Sequence, residues 1–375
     1  MAMLSRCLAA ASLLAGLLLP LSGQAGTDLV LGQSAPLSGP FASLSQDYRN
    51  GALLAFDEAN QGGGVHGRKI RLVTVDDAYQ VDKAVANAHA LIEEHEVLCF
   101  FNHMFTNTVL ATLPIASKAA IPFFGPYTGH PDLYRNDRPL LFVTRASFAS
   151  ELDKILTYIA TVGYRRVALV HYDNPIGLEL MQDVKAGLAA RNVSLVTSAG
   201  MPVGGKAEAA AHAIARSEPD AVILGVSGGD AVGFIKAQAA AGKRPVYFAR
   251  SLVGSKQLHA ELGPLAAGVV ISQLVPSPFK ANAPVARDYR RLLARRDPRA
   301  QPSFVELEGF INARLMLIAL HKAGPGVTRQ SLASALSTLG RVDLGGYVVE
   351  FDEHNHVGSR FVELTMLRQD GSFSQ

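Results

Sequence analysis

From residue 28 onward, short β-rich runs alternate with longer stretches of helical periodicity, and this alternation restricts the fold more than any other feature of the chain. A strand at 29–33 is followed by a loop at 35–40. A helix then carries Tyr48, Ala52, Ala55, Phe56 and Ala59 at spacings of three and four, and Gly62, Gly63 and Gly64 end it. Ile70, Leu72 and Val75 mark the next strand. Helices at 84–94 and 109–119 then interleave with strands at 97–101 and 121–124, and the run 140–144 closes this first set. A second set has helices at 151–162, 178–190, 207–216 and 231–241 and strands at 167–171, 194–198, 221–224 and 246–248. Such βα repetition predicts an α/β fold with parallel sheets covered by helices on both faces. The units are too many for one small domain, so two open sheets are expected rather than one barrel. After 275–278 the order changes to helices at 286–294, 305–322 and 329–339, then strands at 347–351 and 361–367.

The 375 residues are enough for two domains, each with its own core. With 49% apolar and 18% charged residues the chain is too hydrophobic for disorder. The formal charge of +3 is small, and no basic stripe interleaves with aromatics, which argues against nucleic-acid binding. Residues 1–25 read as a signal peptide: Arg6 supplies the positive region, 7–21 is apolar, and Gly23 and Ala25 sit where a signal peptidase reads small residues. The apolar run is shorter than the roughly 20 residues that span a bilayer. Cleavage after Ala25 and a periplasmic location are therefore expected. Cys7 would leave with the signal, so Cys99 alone remains and no intramolecular disulfide is expected.

Enzyme-like motifs are present but incomplete. Gly225-Val226-Ser227-Gly228-Gly229 matches G-x-S-x-G between a strand and a helix, with His354 and His356 downstream, yet no oxyanion motif precedes it. A tight βα turn, where Gly and Ser are common and Asp230 could cap the helix, is the favoured explanation. Gly200 to Lys206 matches a P-loop up to its lysine, but Ala207 stands where Mg²⁺ needs a hydroxyl and Pro202 removes a backbone donor. No histidines pair at metal-ligand spacing, so neither a metal nor a cofactor is expected. Asp76-Asp77 ends a strand and is expected to brace its neighbours. More informative are the polar loops after strands, 102–107 and 125–129, because ligands bind at that edge of an open α/β sheet. Thr106 or Asn107 would cap the helix after the first loop, whose free N–H groups suit a carboxylate.

Several of these segments resemble, in order and spacing, the Leu/Ile/Val-type periplasmic solute-binding proteins of ABC transporters. They are Ala35-Pro36-Leu37-Ser38-Gly39-Pro40, Gly63-Gly64-Val65-His66-Gly67-Arg68-Lys69, Val75-Asp76-Asp77-Ala78, Phe142-Val143-Thr144-Arg145-Ala146-Ser147 and the strand 167–171. Leu307-Glu308-Gly309-Phe310 and the run 358–364 are similar to a Gram-negative subgroup. The resemblance implies a type I binding-protein fold, two doubly wound lobes joined by a three-strand hinge, closing on a solute. It implies lobe 1 at 26–146 plus 276–345 and lobe 2 at 147–275 plus 346–375. Crossovers would fall near 145–150, 273–278 and 342–352. The implied protein is a monomer that captures an amino acid or related small carboxylate and hands it to ABC permease subunits, without catalysis.

Carried over position by position, the resemblance places first-lobe contacts at Ser43, Leu44, Phe105, Thr106, Tyr127, Thr128 and Gly129, with Thr106 holding the ligand carboxylate. The second lobe would contribute Ile176, Ser227 and Ser251. Here Ile176 stands where the family has a stacking tyrosine, and Ser251 where it has the acid that pairs with a ligand ammonium. The family's disulfide positions fall on Tyr79 and Phe105. A buried ammonium without an anionic partner is penalised by several kcal/mol. The expected ligand is therefore a carboxylate lacking the ammonium, unless Asp173 or Asp230 supplies the charge. The alternatives are a periplasmic sensor for a signalling receptor and an exported serine hydrolase using Ser227.

Overall fold

A computed structural model describes residues 27–374 except 136, 243 and 281. The signal peptide expected at 1–25 lies outside the described residues. Strands β1 (Leu29–Ala35), β2 (Ile70–Asp76), β3 (Cys99–Phe101), β4 (Phe123–Phe124) and β5 (Leu141–Phe142) form a parallel sheet in the order β2-β1-β3-β4-β5. Helices α1 (Ala42–Gln61), α2 (Val81–Glu93) and α3 (Thr106–Lys118) connect them. Side chains alternate between the faces, as period 2 demands. Leu29 and Leu31 pack with α1, whereas a Cβ on Gly32 would meet Leu91 and Val97 on the α2 side.

The second sheet follows α4 (Phe148–Val162). It runs β6 (Arg166–Tyr172), α5 (Pro175–Ala189), β7 (Ser194–Met201), α6 (Glu208–Arg216), β8 (Ala221–Gly225), α7 (Gly228–Ala240), β9 (Val246–Ala249), α8 (Ser255–Leu262) and β10 (Val270–Gln273). In β6, Val167 and Leu169 face α4 and α5, and Ala168, Val170 and Tyr172 face α6 and α7. The chain then returns to the first lobe as α9 (Pro284–Arg296), α10 (Phe304–Ala323) and α11 (Arg329–Ser337), with the hairpin β11 (Gly340–Asp343) and β12 (Val348–Phe351). Finally β13 (Glu363–Leu367) pairs antiparallel with β10, and β14 (Phe373–Ser374) completes the order β14-β13-β10-β9-β8-β6-β7. The architecture is α/β with two doubly wound lobes. No helix among the described residues is long and apolar enough to cross a membrane.

Several elements differ from the sequence expectation. Helix α8 and strands β10, β11 and β14 lie where no element was expected, the first two in a stretch punctuated by Gly254, Gly263, Pro264 and Gly268. Strand β12 differs in placement. Residues 346–375 were expected in lobe 2, yet Tyr347, Val349 and Phe351 pack in the first-lobe core, with Phe351 edge-on to Phe142 at 5.6 Å. A two-stranded ribbon is marginal alone and needs an apolar backing, which it finds there. The third passage between lobes therefore lies between Phe351 and Glu363.

The first lobe is assembled around α10, which has 15 buried positions among its 20 residues. Its closest neighbour is α1, and the two backbones touch at glycines. A Cβ on Gly51 would lie 1.7 Å from the Glu306 carbonyl oxygen, and one on Gly309 would lie 2.0 Å from that of Tyr48. Gly51→Ala is therefore expected to cost about 1–3 kcal/mol by overpacking. Gly233→Ala, in an open position of α7 with nothing within 4 Å, should gain about 0.5–1 kcal/mol. Urea denaturation checks the pair, and the reverse order would contradict the packing.

Candidate ligand-binding cleft

In both sheets strand order reverses beside the first strand laid down, between β1 and β3 and between β6 and β8. Those switch points leave crevices at the carboxyl ends of the strands, and the two crevices face each other. On the first lobe the acid pair ending β2 pins the loops. Asp76 accepts from the Leu37 and Ala78 N–H groups, each at 2.8 Å, and from the Ser38 hydroxyl at 2.8 Å. Asp77 accepts from Ser34 Oγ and Tyr79 N, both at 2.8 Å, and burial pushes its carboxyl up to about 6. Two of the segments that suggested a family are thus one interlocked loop pair. The backbone is strained at the same edge, because Ala78, Tyr79, Asn102 and Phe105 all have positive φ. For a residue as bulky as Phe105, at φ 67°, this costs on the order of 1–3 kcal/mol and is held in place by its surroundings.

The pinned β1–α1 loop reaches the second lobe. Pro40 O accepts from Gly229 N at 3.1 Å, and Phe41 lies edge-on to Tyr172 at 6.4 Å. At the rim Asp47 pairs with Lys256 at 2.9 Å and His130 with Glu179 at 3.0 Å. The lobes are in contact, and a single apolar cluster holds Phe41, Leu44, Phe105, Tyr127 and Phe148 together with Tyr172, Val226, Leu252 and Val253.

Beneath this lies a polar floor. Asn312 Nδ2 on α10 donates to Tyr48 Oη at 2.7 Å and Asn102 Oδ1 at 2.8 Å, and Tyr48 donates to Gly125 O at 2.9 Å. Next to it Arg145 has no exposed surface. Its guanidinium lies 4.3 Å above the Tyr127 ring, its Nε is 3.5 Å from Glu308 Oε1, and its Nη2 donates to Ser251 Oγ at 2.6 Å. Glu151, equally buried, accepts at Oε2 from Ser251 N at 2.7 Å and Ser272 Oγ at 2.6 Å. Burial opposes the Arg145 charge, but Glu308, Tyr127 and Glu151 outweigh it and hold the group above its usual range. Burial, with Glu151 adding to it, pushes the Glu308 carboxyl up to about 7 against the pull of Arg145. Arg145 Nε and Nη1, Glu151 Oε1 and Glu308 Oε1 have no hydrogen-bond partner within the protein.

The cleft gathers most of the residues expected there. Thr106 opens α3, and its Oγ1 lies 2.7 Å from Thr128 Oγ1. The Gly129 carbonyl accepts from Phe148 N, and a Cβ on Gly129 would strike that phenyl ring. Leu44 packs against Gly254 of the opposite lobe, and Tyr127 Oη donates to Ser251 O at 3.4 Å. Ser43 is exposed on α1, and Ile176 is half-buried in the first turn of α5, outside the apolar cluster. Tyr79 and Phe105, at the family's disulfide positions, meet as an edge-on ring pair 5.5 Å apart. Of the two acids considered as substitutes, Asp173 is exposed, and Asp230 is engaged by Gly204 N and Tyr172 Oη. The carboxylate that backs Ser251 is Glu151, which the sequence reading missed. Its signal was a charge on the apolar stripe of α4, four and eight residues before Ile155 and Ile159.

The two nucleotide- and hydrolase-like motifs have structural roles. Ser227 N donates to Tyr172 Oη at 2.9 Å, and His354 and His356 line a separate hinge-side pocket with Arg135 and Arg138. In the P-loop-like turn, Gly204 N points to both Asp230 carboxylate oxygens at 3.1 Å, an anion the protein supplies itself. Cys99 is buried, and burial pushes its thiol up.

A family model described as "Periplasmic binding protein" matches residues 29–372. A Pseudomonas aeruginosa "Amino acid binding protein" is 28% identical over 189 residues, 50% of either chain, so the match spans about half the length of this curated relative. Among solved structures, a possible leucine/isoleucine/valine-binding protein from Rhodopirellula baltica superposes with TM-score 0.87 at 28% identity, covering 94% of this chain and 97% of that one. A substrate-binding periplasmic protein from Ralstonia solanacearum gives 0.86 at 28%, covering 92% and 99%. These relatives are solute-binding proteins rather than enzymes.

The buried charges have a pH signature. Glu308 holds its proton more tightly folded than unfolded, about 7 against 4.5. Its contribution to stability is therefore fully present below about 4.5 and is lost as pH rises through about 7. Denaturation midpoints of the protein and of Glu308→Gln, measured from pH 4.5 to 8, should shift steadily in favour of the variant as pH rises. A difference independent of pH would contradict the assignment.

Proposed function

This chain belongs to the periplasmic binding protein family, and from that premise we propose that it captures an amino acid or related small carboxylate by lobe closure. It would act outside the cytoplasm as the binding subunit of an ABC importer, passing the closed complex to permease subunits. The observation that carries this reading is the Thr106–Thr128 hydroxyl pair at 2.7 Å at the start of α3, inside a cleft walled by both lobes. A helix start offers unpaired N–H groups and the positive end of its dipole, worth about 0.3–1 kcal/mol to a nearby anion and more when buried. Phe105, Leu44 and Tyr127 supply the apolar wall, the usual composition of a small-ligand site.

Glu151 bears on the kind of carboxylate. Ser251 stands where an acid was expected; its N–H rests on the Glu151 carboxylate at 2.7 Å, while its hydroxyl takes the Arg145 guanidinium at 2.6 Å. Glu151 is thus matched by a cation at the same wall, so the ligand class keeps both α-amino acids and acids lacking the ammonium, and the two are compared directly.

Titration calorimetry of the standard L-amino acids, their deaminated counterparts and benzoate tests the proposal. At least one should bind with one-to-one stoichiometry and remain chemically unchanged. Thr106→Val should weaken that ligand about tenfold, the value of one hydrogen bond to a charged group. Absence of binding across the panel, or turnover of an ester that Ser227→Ala abolishes, would sink it.

A further inference from the structure

Every polar backbone and side-chain group of Ser251 is engaged, and from two directions. Its N–H is held by Glu151 at 2.7 Å, within its own lobe. Its hydroxyl takes the Arg145 Nη2 at 2.6 Å, and its carbonyl takes Tyr127 Oη at 3.4 Å. Arg145 itself belongs to the first passage between lobes and is tied to the first. Its carbonyl accepts from Tyr134 Oη at 3.0 Å, the preceding carbonyl of Thr144 accepts from Tyr347 Oη at 2.8 Å, and Val143 bonds both ways to the 356–358 segment at 2.8 Å. Glu308 and the Tyr127 ring hold its guanidinium on that side.

We propose that Arg145 is a positioning residue for solute capture: through its bond to Ser251 it favours the closed arrangement of the lobes and sets the wall against which the solute is enclosed. The inference rests on the capture reading above. Other contacts across the cleft rim, Asp47–Lys256 and His130–Glu179, involve partly exposed partners and are worth little in water. The Arg145–Ser251 bond is buried and charge-assisted, the stronger class. Opening the lobes separates Ser251 from a guanidinium that stays with the first lobe. The bond therefore contributes to the closed arrangement, and apparent affinity scales with the closed-competent fraction. Arg145 acts through Ser251, so it tunes the affinity of every captured solute by the same factor.

Ser251→Ala removes the bond while leaving Arg145 opposite Glu308, and so protects folding. Arg145→Lys keeps the charge but lacks the planar fork needed to face Glu308 and Ser251 together. Calorimetry with L-leucine, 4-methylpentanoate and any other panel member that binds the unaltered protein reads the result. Each variant should weaken every ligand by a common factor, on the order of tenfold, with the ratios between ligands unchanged. The double variant should be no weaker than the weaker single one. Altered ratios would mean that Arg145 or Ser251 touches the solute itself, and unchanged affinities would mean that the bond does not favour closure. Either result overturns the inference and leaves the capture reading intact. A panel in which nothing binds the unaltered protein overturns both.

Discussion

A guanidinium with no exposed surface, set where the chain first leaves one lobe for the other, is the constraint around which the cleft is organised. Burying an unpaired Arg145 would cost several kcal/mol, so its surroundings are committed to it. Glu308 comes from α10, the helix at the centre of the first lobe, and the Tyr127 ring comes from the loop after β4. Ser251 and Glu151 come from the second lobe. One cation therefore ties together the core helix, a ligand-edge loop, the hinge and the opposite lobe.

The path from sequence to site runs through topology. Parallel strands with helices on both faces put every βα loop at one edge of each sheet, and the hinge turns the two edges toward each other. Local chemistry then shapes those loops. Asp76 and Asp77 pin the β1–α1 loop, and left-handed residues bend the 78–79 and 102–105 segments. Tyr79 and Phe105, the positions where the resemblance implied a disulfide, meet instead as an edge-on ring pair. Such strain persists where the surroundings over-determine the backbone, as the apolar cluster shared by both lobes does here.

Much of this was legible beforehand. The βα alternation carries the fold class, because period-2 and period-3.6 patterns are local properties of the chain. Strand β12 was placed with the second lobe because a strand reads the same whichever core backs it, and the packing of Phe351 on Phe142 sets it against the first. Thr106 and Thr128 could be placed because they follow strands. Glu151 could not be assigned its partner Ser251, 100 residues away, from spacing alone. A carboxylate in the first turn of a helix is an ordinary complement of the helix dipole, so its position alone does not name a partner. Arg145 and Glu308 stood inside motifs that matched a family, but their meeting at 3.5 Å is a fact of tertiary structure.

The central claim is that two lobes, poised by this buried cluster, close on a small carboxylate. Small-angle X-ray scattering of the protein with and without a saturating ligand from the calorimetric panel tests it most directly. The account predicts a smaller radius of gyration on ligand addition and a bound-state curve that fits the lobe-contact arrangement described here. Identical curves with and without bound ligand would contradict it.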